Sequence, residues 1–173
     1  ADKERVANLI VQATVTGGGF DSVQKAAQDG VAFVFLGHGT SHTAAISYSE
    51  MQSAMKKLGY ANVFIGTVEG EPEETAVGAV IDAVKKGGYK KVTIRPMMVV
   101  AGDHAHNDMA GAEDDSWVQQ FLNAKSFDRI ETQIEGLGGV YDIQKLYAEH
   151  TQAAINAANT AAEETTAAET KAN

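Results

Sequence analysis

Between residues 31 and 155, short runs that are apolar at every position alternate with stretches in which apolar residues recur every three or four positions. A strand buried on both faces needs the first pattern and a crossover helix needs the second, so the alternation predicts βαβ units and a mostly parallel sheet. Residues 31–36 (VAFVFL) predict the first strand. A helix follows, because Met51, Ala54, Met55 and Leu58 stand at i, i+3, i+4 and i+7 and Gly59 can close it. Residues 62–65 predict a second strand, and Ala76, Val77, Val80, Ile81 and Val84 form one stripe on a second helix ending at Gly87 and Gly88. Residues 91–100 predict a third strand with a bend or bulge at Pro96, since proline cannot donate to a ladder. Trp117, Val118, Phe121 and Leu122 predict a third helix, and residues 129–134 alternate as an edge strand with one wet face would. Ile143, Leu146, Tyr147 and Ala154 mark a last helix.

The two ends read differently. In residues 1–30, Val6, Leu9, Ile10 and Ala13 fit a helix face, whereas Ile10, Val11, Thr14, Val15 and Thr16 favour a strand; the balance tips to helix. From about Asn159 the chain is Ala, Thr and Glu with almost no large apolar residue, so residues 159–173 are expected to form a tail without order. The reading is therefore an N-terminal segment of residues 1–30, an α/β domain over residues 31–158 and that tail. The domain is expected to be an open, mostly parallel sheet with helices on both faces.

Composition narrows the partners. At 173 residues with 44% hydrophobic positions the chain can bury one core. Fourteen Lys and Arg against 23 Asp and Glu give a formal charge of −9, the wrong sign for nonspecific attraction to nucleic acid or to an anionic membrane. No apolar stretch approaches the roughly 20 residues of a membrane helix, and no secretory leader opens the chain, so a cytoplasmic setting is expected. A leader removed before Ala1 would make it periplasmic. With no cysteine, disulfides, thiolate metal sites and cysteine nucleophiles are all excluded.

Polar residues of chemical interest follow each of the first three predicted strands. They are residues 37–42 (GHGTSH), 66–70 (GTVEG) and 101–108 (AGDHAHND). Open α/β sheets place their ligands beyond the carboxyl ends of the strands, so the three segments should converge. Imidazole nitrogen and carboxylate oxygen suit borderline cations such as Co(II), Ni(II), Fe(II) or Zn(II), and three protein ligands leave positions open for substrate. His38, Glu69 and His104 are the candidates for a metal or acid/base site. Asp103 and Asp108 bracket the loop histidines and could orient an imidazole by hydrogen bonding, His106 is a subsidiary candidate, and His42 fits a helix N-terminus or a supporting role. His150 falls on the apolar side of the last helix and reads as a packing residue; Met97 and Met98 read as core or pocket wall, and residues 113–115 (EDD) as a solvated helix start.

Residues 36–40 (LGHGT), 66–70 (GTVEG), Pro96 with 100–111 (VAGDHAHNDMAG), 115–117 (DSW) and 136–138 (GLG) resemble the anaerobic sirohydrochlorin cobaltochelatases of the CbiK type. The similarity runs from about Val31 to His150, in order and at similar separations. The resemblance implies a chelatase-like, flavodoxin-like lobe that inserts Co(II) into sirohydrochlorin without ATP on the early-insertion route to cobalamin. It also implies that His38, Glu69 and His104 bind the metal and accept the pyrrole protons. Co(II) would be the substrate metal, with Fe(II), Ni(II) or Zn(II) as alternatives, and a carrier of metal or tetrapyrrole the non-catalytic alternative. Long members of that family have two lobes around the tetrapyrrole, and this chain resembles the C-terminal one. The opposite wall is then expected from a second copy in a homo-oligomer, from a partner chain, or from a part of the enzyme that a fragment lacks. Because the protein is acidic, the substrate carboxylates would need local donors: helix N-termini, Arg95 or a lysine of another subunit.

Overall fold

A computed structural model describes the backbone of residues 2–172 and the side chains of residues 2–162. Four strands, β1 (Val31–Gly37), β2 (Val63–Thr67), β3 (Lys91–Pro96) and β4 (Arg129–Thr132), form one sheet in the order β2-β1-β3-β4. Every pairing is parallel: Phe33 faces Val63, Val31 faces Lys91, and Lys91 faces Arg129. The chain leaves β1 toward β2 and then crosses back to β3, so the strand order reverses beside β1. A crevice opens at such a reversal, at the carboxyl ends of the strands.

All seven residues of β1 are buried, and their side chains alternate between two cores. Phe33 and Phe35 meet α1 (Asp2–Gly17), α2 (Val23–Gln28), α3 (Ile46–Lys57) and the start of α6 (Tyr141–Ala172) through Ile10, Val11, Val23, Met55 and Ile143. Ala32, Val34 and Leu36 meet α4 (Val77–Lys86) and α5 (Trp117–Asn123) through Val80, Val84, Trp117 and Phe121. Each fully buried side chain of this size contributes about 1.5–3 kcal/mol of hydrophobic stabilisation. The open α/β sheet read from the sequence is thus the architecture found.

The N-terminal segment is helical. Ala7, Ile10, Val11, Thr14 and Val15 are its buried residues, at i, i+3, i+4, i+7 and i+8, so packing against the sheet overrides the β-branched content. The third strand stops at Pro96 rather than running through it to Val100. Met97 N–H still donates to Leu36 C=O at 2.7 Å, after which the chain leaves the sheet. α6 continues as helix beyond Asn159, where the composition predicts a tail without order. Every described side chain from Tyr147 to Ala162 is exposed, so local alanine and glutamate propensity rather than tertiary packing sustains that stretch. Among the described residues, no helix is long and apolar enough to cross a membrane.

β2 is an open sheet edge, and Gln52 of α3 covers part of it. Its Nε2 donates to Val63 C=O at 3.0 Å and its Oε1 accepts from Ile65 N–H at 2.8 Å, which imitates a neighbouring strand.

Candidate functional site

The ladder between β1 and β2 continues past the strand ends and brings Glu69 to His38. Val68 N–H donates to Gly37 C=O at 3.0 Å, and Glu69 N–H donates to His38 C=O at 2.9 Å. Gly39 makes this approach possible: its φ is +95°, and a Cβ there would lie 2.8 Å from the Cβ of Glu69. The Tyr48 hydroxyl of α3 accepts from Gly39 N–H at 3.0 Å, while its ring packs so close to Gly37 that a side chain at 37 would collide. Tyr48 therefore sets the course of the His38 loop, a role without a signal in the sequence because its i+10 relation to His38 exists only in the fold.

His104 arrives from β3 on an unusual element. Residues His104–Met109 form a π-helical turn, a form that often marks functional sites. Ala105 and Met109 are buried against α4 and α5, whereas His104 and Asp108 are half-exposed at the strand ends. The backbone N–H groups of Ala105 and His106 both donate to Gly102 C=O, so the turn is hung from Gly102.

The three proposed ligands come together there in two pairs that share His38. The His38 and His104 rings lie 4.6 Å apart, edge to face at 82°. His38 Nε2 is 3.8 Å from Glu69 Oε1. That is too long for a hydrogen bond, yet it is a span that a cation held at about 2 Å by each would bridge. His38 Nδ1 lies 3.0 Å from Gly39 C=O, which can only accept; Nδ1 carries the proton and the Nε2 lone pair is left free. His104 Nδ1 is 2.5 Å from Asp108 Oδ2, which fixes its ring in the same sense and leaves Nε2 as the free nitrogen. Among the described residues, no three His, Cys, Asp or Glu side chains are grouped closely enough to hold a metal ion: His38 meets His104 and Glu69 as two separate pairs, and the ligand set is open. Beside Glu69 a cleft of about 310 Å³ is walled by Thr67, Asp108, Asp115 and Trp117. Trp117 packs against the Cα of Gly66, where any side chain would meet its ring at 2.2 Å.

The remaining candidates divide. Of the two aspartates flanking the loop histidines, Asp108 orients His104; Asp103 precedes the π turn and makes no capping bond with its side chain. His106 is exposed on the same turn with no side-chain hydrogen bond to a described residue. His42 caps a short 3₁₀ turn at Thr43–Ala45, its Nδ1 accepting from Ala44 N–H at 3.1 Å. His150, expected to pack, is exposed and lies 3.8 Å from Asp2. Arg95, expected as a donor to substrate carboxylates, is not available for that: it is 1% exposed and its Nη2 pairs with Glu135 at 3.0 Å. Burial pushes the Arg95 pKa down and Glu135 opposes that shift.

Residues 19–156 match the family model described as cobalt chelatase (CbiK). The sirohydrochlorin cobaltochelatase of Salmonella typhimurium is 37% identical over 125 residues, which are 72% of this chain and 45% of that protein. The sirohydrochlorin cobaltochelatase CbiKC of Nitratidesulfovibrio vulgaris is 31% identical over 126 residues, 73% of this chain and 43% of its own. The chain thus spans less than half the length of these curated relatives. Among solved structures, a CbiX protein assigned to cobalamin (vitamin B12) biosynthesis from Marinobacter aquaeolei VT8 superposes with a TM-score of 0.56 at 16% identity, over 75% of this chain and 98% of that one, a likeness of fold.

Proposed function

The chain belongs to the cobalt chelatase (CbiK) family, and we propose that it inserts Co(II) into sirohydrochlorin, without ATP, at His38, Glu69 and His104. The observation that carries this reading is the meeting of two imidazoles, each with Nδ1 engaged and Nε2 free, beside one carboxylate at the ends of β1, β2 and β3. Insertion forms cobalt–nitrogen bonds and breaks two pyrrole N–H bonds, so a cation must be held over the ring while two protons find acceptors. Neutral imidazole can do both at neutral pH. Glu69 neutralises part of the cation's charge and relays a proton. An open ligand set suits a metal that is cargo, because a closed cage would retain the ion that the reaction has to give up.

The same donors accept Fe(II), Ni(II) or Zn(II), since such sites select by availability more than by affinity. Val99, Val100 and Ile46 are large apolar side chains exposed at the carboxyl end of the sheet, where a second wall would cover the tetrapyrrole. We propose a further copy of this chain as that wall. Anaerobic absorbance of sirohydrochlorin with excess Co(II) tests the function: conversion of many equivalents per chain is expected. Spectral change that stops at one equivalent would instead make the protein a carrier.

A further inference from the structure

Arg95 has no ready explanation as a stabilising residue. Its guanidinium is buried in the core on the α1 side of the sheet, its Nε has no partner among the described residues, and the carboxylate it pairs with, Glu135, is itself mostly exposed. A guanidinium taken out of water against a partner that stays in it is often no more stabilising than an apolar residue of the same volume. The partners show what the side chain does reach. Nη1 donates to Gln133 Oε1 at 3.2 Å and, more weakly, to Thr14 Oγ1 of α1 at 3.5 Å, and Nη2 donates to Glu135 Oε2 at 3.0 Å, so one guanidinium ties α1 to two side chains of the segment that follows β4. Gln133 is held from its other end too, its Nε2 donating to Thr14 C=O of α1 at 3.0 Å.

The gripped segment then runs directly along the loop that leads to His104. A Cβ at Gly136 would lie 2.5 Å from Val99 O and 2.8 Å from Ala101 N, so the two backbones touch. Leu137 N–H donates to Met98 C=O at 2.8 Å, and Gly138 N–H to Val99 C=O at 2.9 Å. One residue beyond Ala101 is Gly102, from which the π turn carrying His104 hangs. A continuous set of contacts therefore joins the core to the metal ligand.

We propose that Arg95 is a positioning residue, which clamps residues 133–138 into a brace that sets the height of the His104 loop. The proposal rests on the reading of His104 as a ligand for Co(II). It assigns the buried arginine to the site rather than to the fold: the apolar variant Arg95→Met should melt no lower than the wild type yet hold the metal less well.

Three readouts on the whole chain test it: thermal unfolding, Co(II) titration followed by its visible ligand-field bands, and hydrogen–deuterium exchange over residues 97–109. For Arg95→Met we expect an unchanged or raised melting temperature, altered cobalt bands, about tenfold weaker Co(II) binding, and faster exchange confined to residues 97–109. Gly136→Ala should reproduce the metal and exchange effects with the core untouched, whereas an Arg95→Met chain that fails to fold would assign the arginine to the fold and overturn the proposal. Gly78→Ala, on the exposed face of α4 where an added Cβ meets nothing within 4 Å, should leave metal binding and exchange over residues 97–109 unchanged. Weaker binding accompanied by a lower melting temperature and faster exchange throughout the chain would reduce Arg95 to a structural residue and overturn the proposal. So would wild-type binding and exchange in both variants when His104→Ala has lost the metal. If instead the wild type takes up no Co(II) while exchange over 97–109 still responds to Arg95→Met, it is the metal reading that fails.

Discussion

At the scale of single residues, the site depends on which ring nitrogen is left free. Asp108 accepts from His104 Nδ1 and so points the Nε2 lone pair outward. Asp108→Ala should weaken Co(II) affinity about 10–100-fold, while the melting temperature moves little, since Asp108 is half-exposed and its backbone role in the π turn is kept. Isothermal titration of the variant checks this; unchanged affinity would mean that the carboxylate does not orient the ligand. The placement of His38, Glu69 and His104 past the strand ends was legible in the sequence, because glycines accompany each of them there. What was not legible is the support. Tyr48 and Arg95 act through contacts that exist only in the fold, and Asp108 differs from Asp103 only once the π turn folds it back onto the His104 ring.

Among the elements, the strands were the clearest because burial on both faces demands apolar residues at every position, and β1 meets that demand without exception. The N-terminal helix was ambiguous for the opposite reason: its buried stripe is built of β-branched residues, and only contact with Phe33 and Met55 decides the conformation. The π turn had no pattern to read, because its two buried residues, Ala105 and Met109, are separated by polar ones on a single turn. The protection of β2 was hidden as well, since Gln52 looks like any helix surface residue. Gln52→Ala removes both of its bonds to the edge strand, at Val63 and Ile65, and should cost about 1–2 kcal/mol. It should also make association depend on protein concentration as the edge is freed. Urea unfolding and light scattering read the two effects, and a variant as stable and as dispersed as the wild type would remove Gln52 from this role.

For the whole molecule, stability and chemistry are separable along the chain. The two cores end with Leu146 of α6, and every described side chain from Tyr147 to Ala162 is exposed. Ile155→Ser on that exposed stretch should therefore change unfolding free energy by less than about 0.5 kcal/mol; a larger loss would mean that this face of the helix packs on a partner. The chemistry, by contrast, is gathered at one end of the sheet, where the strand order reverses and β1, β2 and β3 release His38, Glu69 and His104. We propose that this convergence performs cobalt insertion. The most direct test is the initial rate of anaerobic Co(II) insertion into sirohydrochlorin by His104→Ala beside the wild type, with circular dichroism on both. We predict a rate lower by at least about a hundredfold in a chain that folds as before. Insertion at the wild-type rate by the folded variant would contradict the assignment of the site.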